Sequence, residues 1–149
     1  MKSSKGFTLI ELLVVIAILG VLTATAFPTY RTFRRRAVGV EATTIMKQLI
    51  NAELMYYLEH NAYFLGTNNS IQVYHDGRDP SLSDIQEVWN ALHVRLPTGH
   101  FLDTIVNGDP NSQIFLSVGT PSENPFPIFK NGDTKIQASL DTNGKVVYY

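Results

Sequence analysis

Lys5-Gly6-Phe7-Thr8-Leu9-Ile10-Glu11-Leu12-Leu13-Val14-Val15-Ile16-Ala17-Ile18-Leu19-Gly20 opens the run of residues that decides how the rest of the chain folds. Residues 7–27 carry one charged side chain, Glu11, and are otherwise apolar or small. As a helix rising about 1.5 Å per residue, this run spans roughly 32 Å, the thickness of a hydrocarbon core of about 30 Å. Glu11 is out of place in it. A carboxylate in hydrocarbon costs about 2.5–3.5 kcal/mol on insertion scales, less near a helix end, so it calls for a partner.

On the N-terminal side lie Lys2 and Lys5, and Ala24-Thr25-Ala26 closes the run. A basic n-region, an apolar stretch and an A-x-A site together make a removable secretory signal one reading. Two features oppose it. A segment made only to be discarded has no reason to carry Glu11, and helical periodicity continues past Pro28 as if the helix stays attached.

The same residues, from Lys5 through Gly20, closely resemble the prepilin processing sequence of type IV pilins and type II secretion pseudopilins. The resemblance covers about the first thirty residues and, more loosely, the helix to about Tyr63. It implies cleavage by prepilin peptidase between Gly6 and Phe7 and N-methylation of Phe7. Glycine at position 6 leaves little side chain to obstruct the scissile bond. Loss of residues 1–6 removes two of the twelve Lys/Arg and leaves ten against thirteen acids. Glu11 then lies one turn from the new amino terminus and can neutralise its own Phe7 ammonium. The family instead implies pairing with the terminal ammonium of an adjacent subunit, so that an unpaired Glu11 favours docking into a growing filament. Gly20 and Pro28 match the positions between which the family's helix loosens in assembled pili. A kink, or a second helix starting at Pro28, is equally compatible with the sequence.

Residues 31–36 hold four arginines, beside the membrane run. Such a polybasic stretch contacts lipid headgroups or a partner's acidic groups rather than nucleic acid. Counting positive charges alone would put these arginines on the cytoplasmic side. The resemblance implies the reverse orientation, with the N-terminus inside and the body outside.

Beyond the membrane run, Val38, Ala42, Ile45, Leu49, Ala52 and Tyr56 recur at helical spacing, with Glu41, Lys47, Gln48 and Glu59 elsewhere. A helix continuous to His60 would be roughly 80 Å long. The remaining 89 residues cannot cover it, so its first half needs lipid or other subunits. The aromatics Phe27, Tyr30, Phe33, Tyr56, Tyr57, Tyr63 and Phe64 are expected at the membrane interface or in the core.

In residues 61–149, Ile71-Gln72-Val73-Tyr74 predicts a short strand. Ser83 and Gln86 form a capping-box pattern ahead of an amphipathic helix with Ile85, Val88, Trp89, Leu92 and Leu96 inward, stopped by Pro97; Trp89 is expected in the core. Residues 114–118 and 134–140 predict strands, and Asn143-Gly144 predicts a type I′ hairpin to residues 146–149. The loop 119–132, with three prolines, is expected to be exposed.

Chemistry is sparsely represented. His60, His75, His93 and His100 fall in no metalloprotease or nucleophile motif. His75-Asp76 beside Asp79, and the calcium-loop-like opening Asp141-Thr142-Asn143-Gly144, lack enough ligands to assign a metal. There are no cysteines, and the net charge of −1 gives no bulk positive field for nucleic acid. No enzyme activity, metal or cofactor is predicted.

The expected fold is α+β and pilin-like, a long N-terminal helix with a transmembrane first half packed on a small antiparallel sheet. Its segments are a leader (1–6), a membrane and filament-core helix (7–27), an amphipathic continuation (28–60) and a globular head (61–149). The expected function is a structural type IV pilus subunit that leaves the inner membrane for a periplasmic or extracellular filament. Its expected partners are other copies, related pilins, prepilin peptidase, the assembly machinery and inner-membrane lipid. A type II secretion pseudopilin and a membrane-tethered periplasmic binding domain are the alternatives. Gly108-Asp109-Pro110-Asn111 matches the major pseudopilin's proline-rich loop poorly.

Overall fold

Helix α1 (Leu9–His60) forms where the sequence offers helix formers and only Gly20, Pro28 and Gly39 against them. The computed structural model describes residues 6–98 and 101–149; Lys2, Lys5 and His100 lie outside the described residues. Pro28 sits inside α1, so no second helix starts there. The chain divides into two units, one ending at Arg34 and the other Arg35–Tyr149. In the first unit every described residue is exposed.

The second unit has its own core. On α1 it takes Val38, Gly39, Ala42, Ile45, Met46, Leu49, Ile50 and Glu53, positions three or four apart on one face. They pack on a five-stranded antiparallel sheet whose strands lie in chain order: β1 (Ser70–Val73), β2 (Asp103–Gly108), β3 (Gln113–Gly119), β4 (Lys135–Asp141) and β5 (Val146–Tyr148). Register aligns the inward side chains in rows. One row is Ile71, Val106, Leu116 and Ala138, and the next is Val73, Thr104, Val118 and Ile136. A one-residue slip in any pair would turn these side chains to the opposite face.

Helix α2 (Ser81–Leu92) covers the free edge of β1. Ser81 Oγ accepts the Tyr74 N–H at 2.8 Å and the Asp84 carboxylate accepts the Gln72 N–H at 2.6 Å. These donors, Gln72 within β1 and Tyr74 just after it, face the strand's free edge and would otherwise template another strand. This corrects the capping-box expectation: the helix starts two residues before Ser83, and Ser83 Oγ donates to the Pro80 carbonyl. Pro97 does not stop the helix either. His93 does, in a left-handed conformation (φ 56°), which frees Val94 and Leu96 to enter the core. Trp89 is not a core anchor. Val88 and Leu92 take the buried face, and Trp89, one position round the helix from Val88, is 51% exposed.

The hairpin at Asn143-Gly144 is present with a different turn. Gly144 alone has positive φ (72°), its N–H reaches the Asp141 carbonyl at 3.0 Å, and Asp141 pairs with Lys145 across the turn. That is a three-residue loop with a left-handed glycine rather than type I′, which needs positive φ at both central residues. The loop 119–132 is also less exposed than expected. Ile128 is buried against α1, and a Cβ at Gly39 would lie 2.5 Å from the Ile128 carbonyl oxygen.

Candidate functional site

Gly6, Phe7 and Thr8 precede the first turn of α1, all exposed, with Phe7 81% so. A Cβ on Gly6 would meet nothing within 4 Å among the described residues, so no crowding by them demands glycine there. Among the described residues nothing covers the Gly6–Phe7 bond.

Glu11 lies one turn further on, and its carboxylate is already engaged. Its Oε2 accepts the Thr8 N–H at 2.8 Å and the Thr8 hydroxyl at 2.7 Å, while the Glu11 N–H donates back to Thr8 Oγ1 at 3.3 Å. This is a reciprocal capping box, which satisfies orphan donors at the helix N-terminus. Phe7 is in peptide linkage to Gly6, so the terminal ammonium that would pair with Glu11 does not exist in the uncut chain. Thr8 was the residue missed in the sequence, although the Thr8-x-x-Glu11 spacing carried the signal.

Gly20 is exposed, and a Cβ there would also meet nothing within 4 Å. No contact among the described residues explains a glycine at that point. Around Pro28, threonine hydroxyls turn inward to their own helix: Thr23 to the Leu19 carbonyl at 2.7 Å, and Thr32 to the Pro28 carbonyl at 3.1 Å. Back-bonding of this kind removes polar hydrogens from an apolar surround. Phe27, Tyr30 and Phe33 are well exposed, and the Arg31 guanidinium lies 5.7 Å over the Phe27 ring.

The head's candidate ligands are used internally. His75 donates its backbone N–H to Asp103 at 2.8 Å and sets its ring Nδ1 3.0 Å from the same oxygen. Asp76 and Glu123 both meet Arg78, whose guanidinium pKa is raised first by the Glu123 hydrogen bond. Asp141 Oδ1 accepts the Lys145 and Asn143 N–H groups, and the Lys145 bond is the first cause of its lowered pKa. Among the described residues, no three His, Asp or Glu side chains gather where they could hold a metal.

Residues 1–27 match the prokaryotic N-terminal methylation motif. The chain is 40% identical over 63 residues to the type IV wide pilus major component PilA4 of Thermus thermophilus, covering 42% of this chain and 48% of that one. It is 45% identical over 69 residues to a fimbrial protein of Neisseria meningitidis, covering 46% and 40%. It is 42% identical over 60 residues to the type IV major pilin protein PilA of Myxococcus xanthus, covering 40% and 27%. The chain therefore spans less than half the length of these relatives. It carries a prokaryotic N-terminal methylation motif and, over about two-fifths of its length, is similar to major type IV pilins.

Proposed function

We propose that this chain is a structural subunit of a type IV pilus-like filament, cut between Gly6 and Phe7, methylated on Phe7 and assembled from the inner membrane. The observation that carries it is the first half of α1, an apolar helix segment that buries none of its residues within its own chain. Such a surface needs lipid first and neighbouring subunits afterwards. The motif over residues 1–27 and a relative named as a pilus component support the reading that other subunits are the later environment.

In this scheme cleavage creates an ammonium at Phe7, one turn from Glu11. A carboxylate in hydrocarbon gains most from an ionic partner, so an adjacent subunit's terminus draws the new subunit into register. Gly20 lets a neighbouring backbone approach closely, as small residues do between membrane helices. Pro28, lacking an N–H, leaves a weak point at which the helix can loosen. Prepilin peptidase and the pilus machinery are the partners this requires.

The test has two parts. Mass spectrometry of the mature chain is expected to give methylated Phe7 as the first residue; an N-terminus at Phe27 would restore the secretory signal. Glu11→Ala is expected to be processed and retained in the membrane but absent from sheared filaments. Normal entry into filaments would sink the assembly role.

A further inference from the structure

A groove of about 490 Å3 runs between the outward side of α1 and the loop after β3. Its uncharged lining is mostly apolar, with Gly39, the 68% exposed Val40 and Ile128. Its rim carries Arg36, Lys47 and Lys130, all exposed, with no carboxylate in the lining. Three cations held about one mostly apolar lining repel each other and gain from an acidic occupant.

The same chain presents the complement. Residues 61–149 hold nine acids and five bases, one of which is Lys130 itself. Asp76 and Glu123 both meet the Arg78 guanidinium, with exposed Asp79 next in the chain. Leu82, three residues beyond Asp79 in the chain, is 68% exposed and offers an apolar side chain for such a contact. The groove and the acidic cluster share no residue and both belong to the unit Arg35–Tyr149. Their pairing is a heterologous contact, which repeats from copy to copy without closing when the rotation between them does not return.

We infer that the Arg36–Lys47–Lys130 groove receives the Asp76–Asp79–Glu123 surface of a second copy of this chain, giving the filament a charge-matched contact between heads. This rests on the filament-subunit function proposed above and names the partner surface for it. An anionic lipid headgroup is the competing occupant, and it makes no use of the acidic cluster.

The experiment is done on the full chain in filament-producing cells. Lys47→Glu with Lys130→Glu is expected to lower sheared filament at least tenfold while membrane-held subunit stays at the wild-type level. Asp79→Lys with Glu123→Lys is expected to do the same. All four changes in one chain restore opposite charges across the contact and are expected to recover filament yield. Undiminished assembly of either double variant, or no recovery in the fourfold variant, overturns the groove proposal and leaves the subunit function standing. A wild-type chain that enters no filament overturns both. Should a variant fail to accumulate, a photo-crosslinker at position 130 of otherwise wild-type filaments decides. An adduct on residues 76–84 or 119–127 of another copy supports the contact, and an adduct on lipid or elsewhere removes it.

Discussion

Glu53, fully buried on the core face of α1, accepts the Phe64 backbone N–H through Oε2 at 2.9 Å, while its Oε1 meets no hydrogen-bond partner among the described residues. The bond ties the end of α1 to the segment that leaves it. Nearby, burial first raises the Tyr63 phenol, with Tyr57, Asp141 and Glu53 adding to it, and the Tyr63 hydroxyl donates to the Asp141 carbonyl at 2.5 Å. Burial pushes Glu53 from an ordinary 4.5 up to about 8. Between those values the folded chain holds a proton that the unfolded chain has lost, so stability falls as pH rises through that window. Thermal unfolding of the detergent-solubilised chain is expected at lower temperature at pH 8 than at pH 5. Glu53→Gln keeps an acceptor for Phe64 and removes the charge. It is expected to flatten the profile between pH 5 and pH 8; parallel profiles for the two chains would contradict a buried, neutral Glu53.

The capping box and the proposed intersubunit pair make different demands on Glu11. Glutamine at the third helical position still completes a capping box. Glu11→Gln therefore retains the local bonds with Thr8 and loses only the charge. It is expected to be cleaved and membrane-held like wild type, with filament yield as low as for Glu11→Ala. Equal yields for Glu11→Gln and wild type would assign Glu11 to helix capping alone. Thr8→Ala, which breaks the cap and leaves the carboxylate, is expected to keep most of the filament yield.

Much of the fold was legible because its pattern is local. Val38 to Tyr56 repeats at helical spacing, and β3, β4 and the β4–β5 hairpin show in alternation and a turn pair. Strand β2 was not predicted. Asp103-Thr104-Ile105-Val106-Asn107-Gly108 has two strongly apolar residues, and its burial depends on pairing with β1 and β3 at once. Glu53 was passed over because a carboxylate reads as solvent-facing, although its spacing from Met46, Leu49 and Ile50 puts it on the core face. At the candidate site Gly6, Phe7 and Glu11 are contiguous in sequence and readable there. The groove between α1 and the Ile128 loop is built from residues about ninety apart, which no local pattern joins.

Two glycines on α1 are expected to behave oppositely. Gly to Ala in a helix interior ordinarily gains up to about 1 kcal/mol. At Gly39 the new Cβ would meet the Ile128 carbonyl at 2.5 Å, so Gly39→Ala is expected to cost about 1–3 kcal/mol net and to lower the unfolding midpoint. At Gly20 the space is empty, so Gly20→Ala is expected to leave the solubilised chain's stability unchanged or raised. Its effect should appear as reduced filament yield at a constant membrane level. A destabilised Gly20→Ala chain would point to a packing role inside the monomer.

Trp89 and Val88 are adjacent on α2 and separate the inward from the outward face. Val88 is fully buried, whereas Trp89 is half-exposed with the Arg95 guanidinium 5.9 Å from its ring. Val88→Ala is expected to cost about 1–3 kcal/mol from lost burial and the cavity left behind. Trp89→Ala is expected to cost less than about 1 kcal/mol, since it forfeits a surface cation–π contact and little core area. Trp89 is the chain's single tryptophan, so its fluorescence reports this site without interference. In the solubilised chain its emission is expected to be that of a water-exposed indole and to be quenched readily by iodide. A blue-shifted, quencher-resistant emission, with the larger stability loss at Trp89, would place the indole in the core and turn α2 by one position.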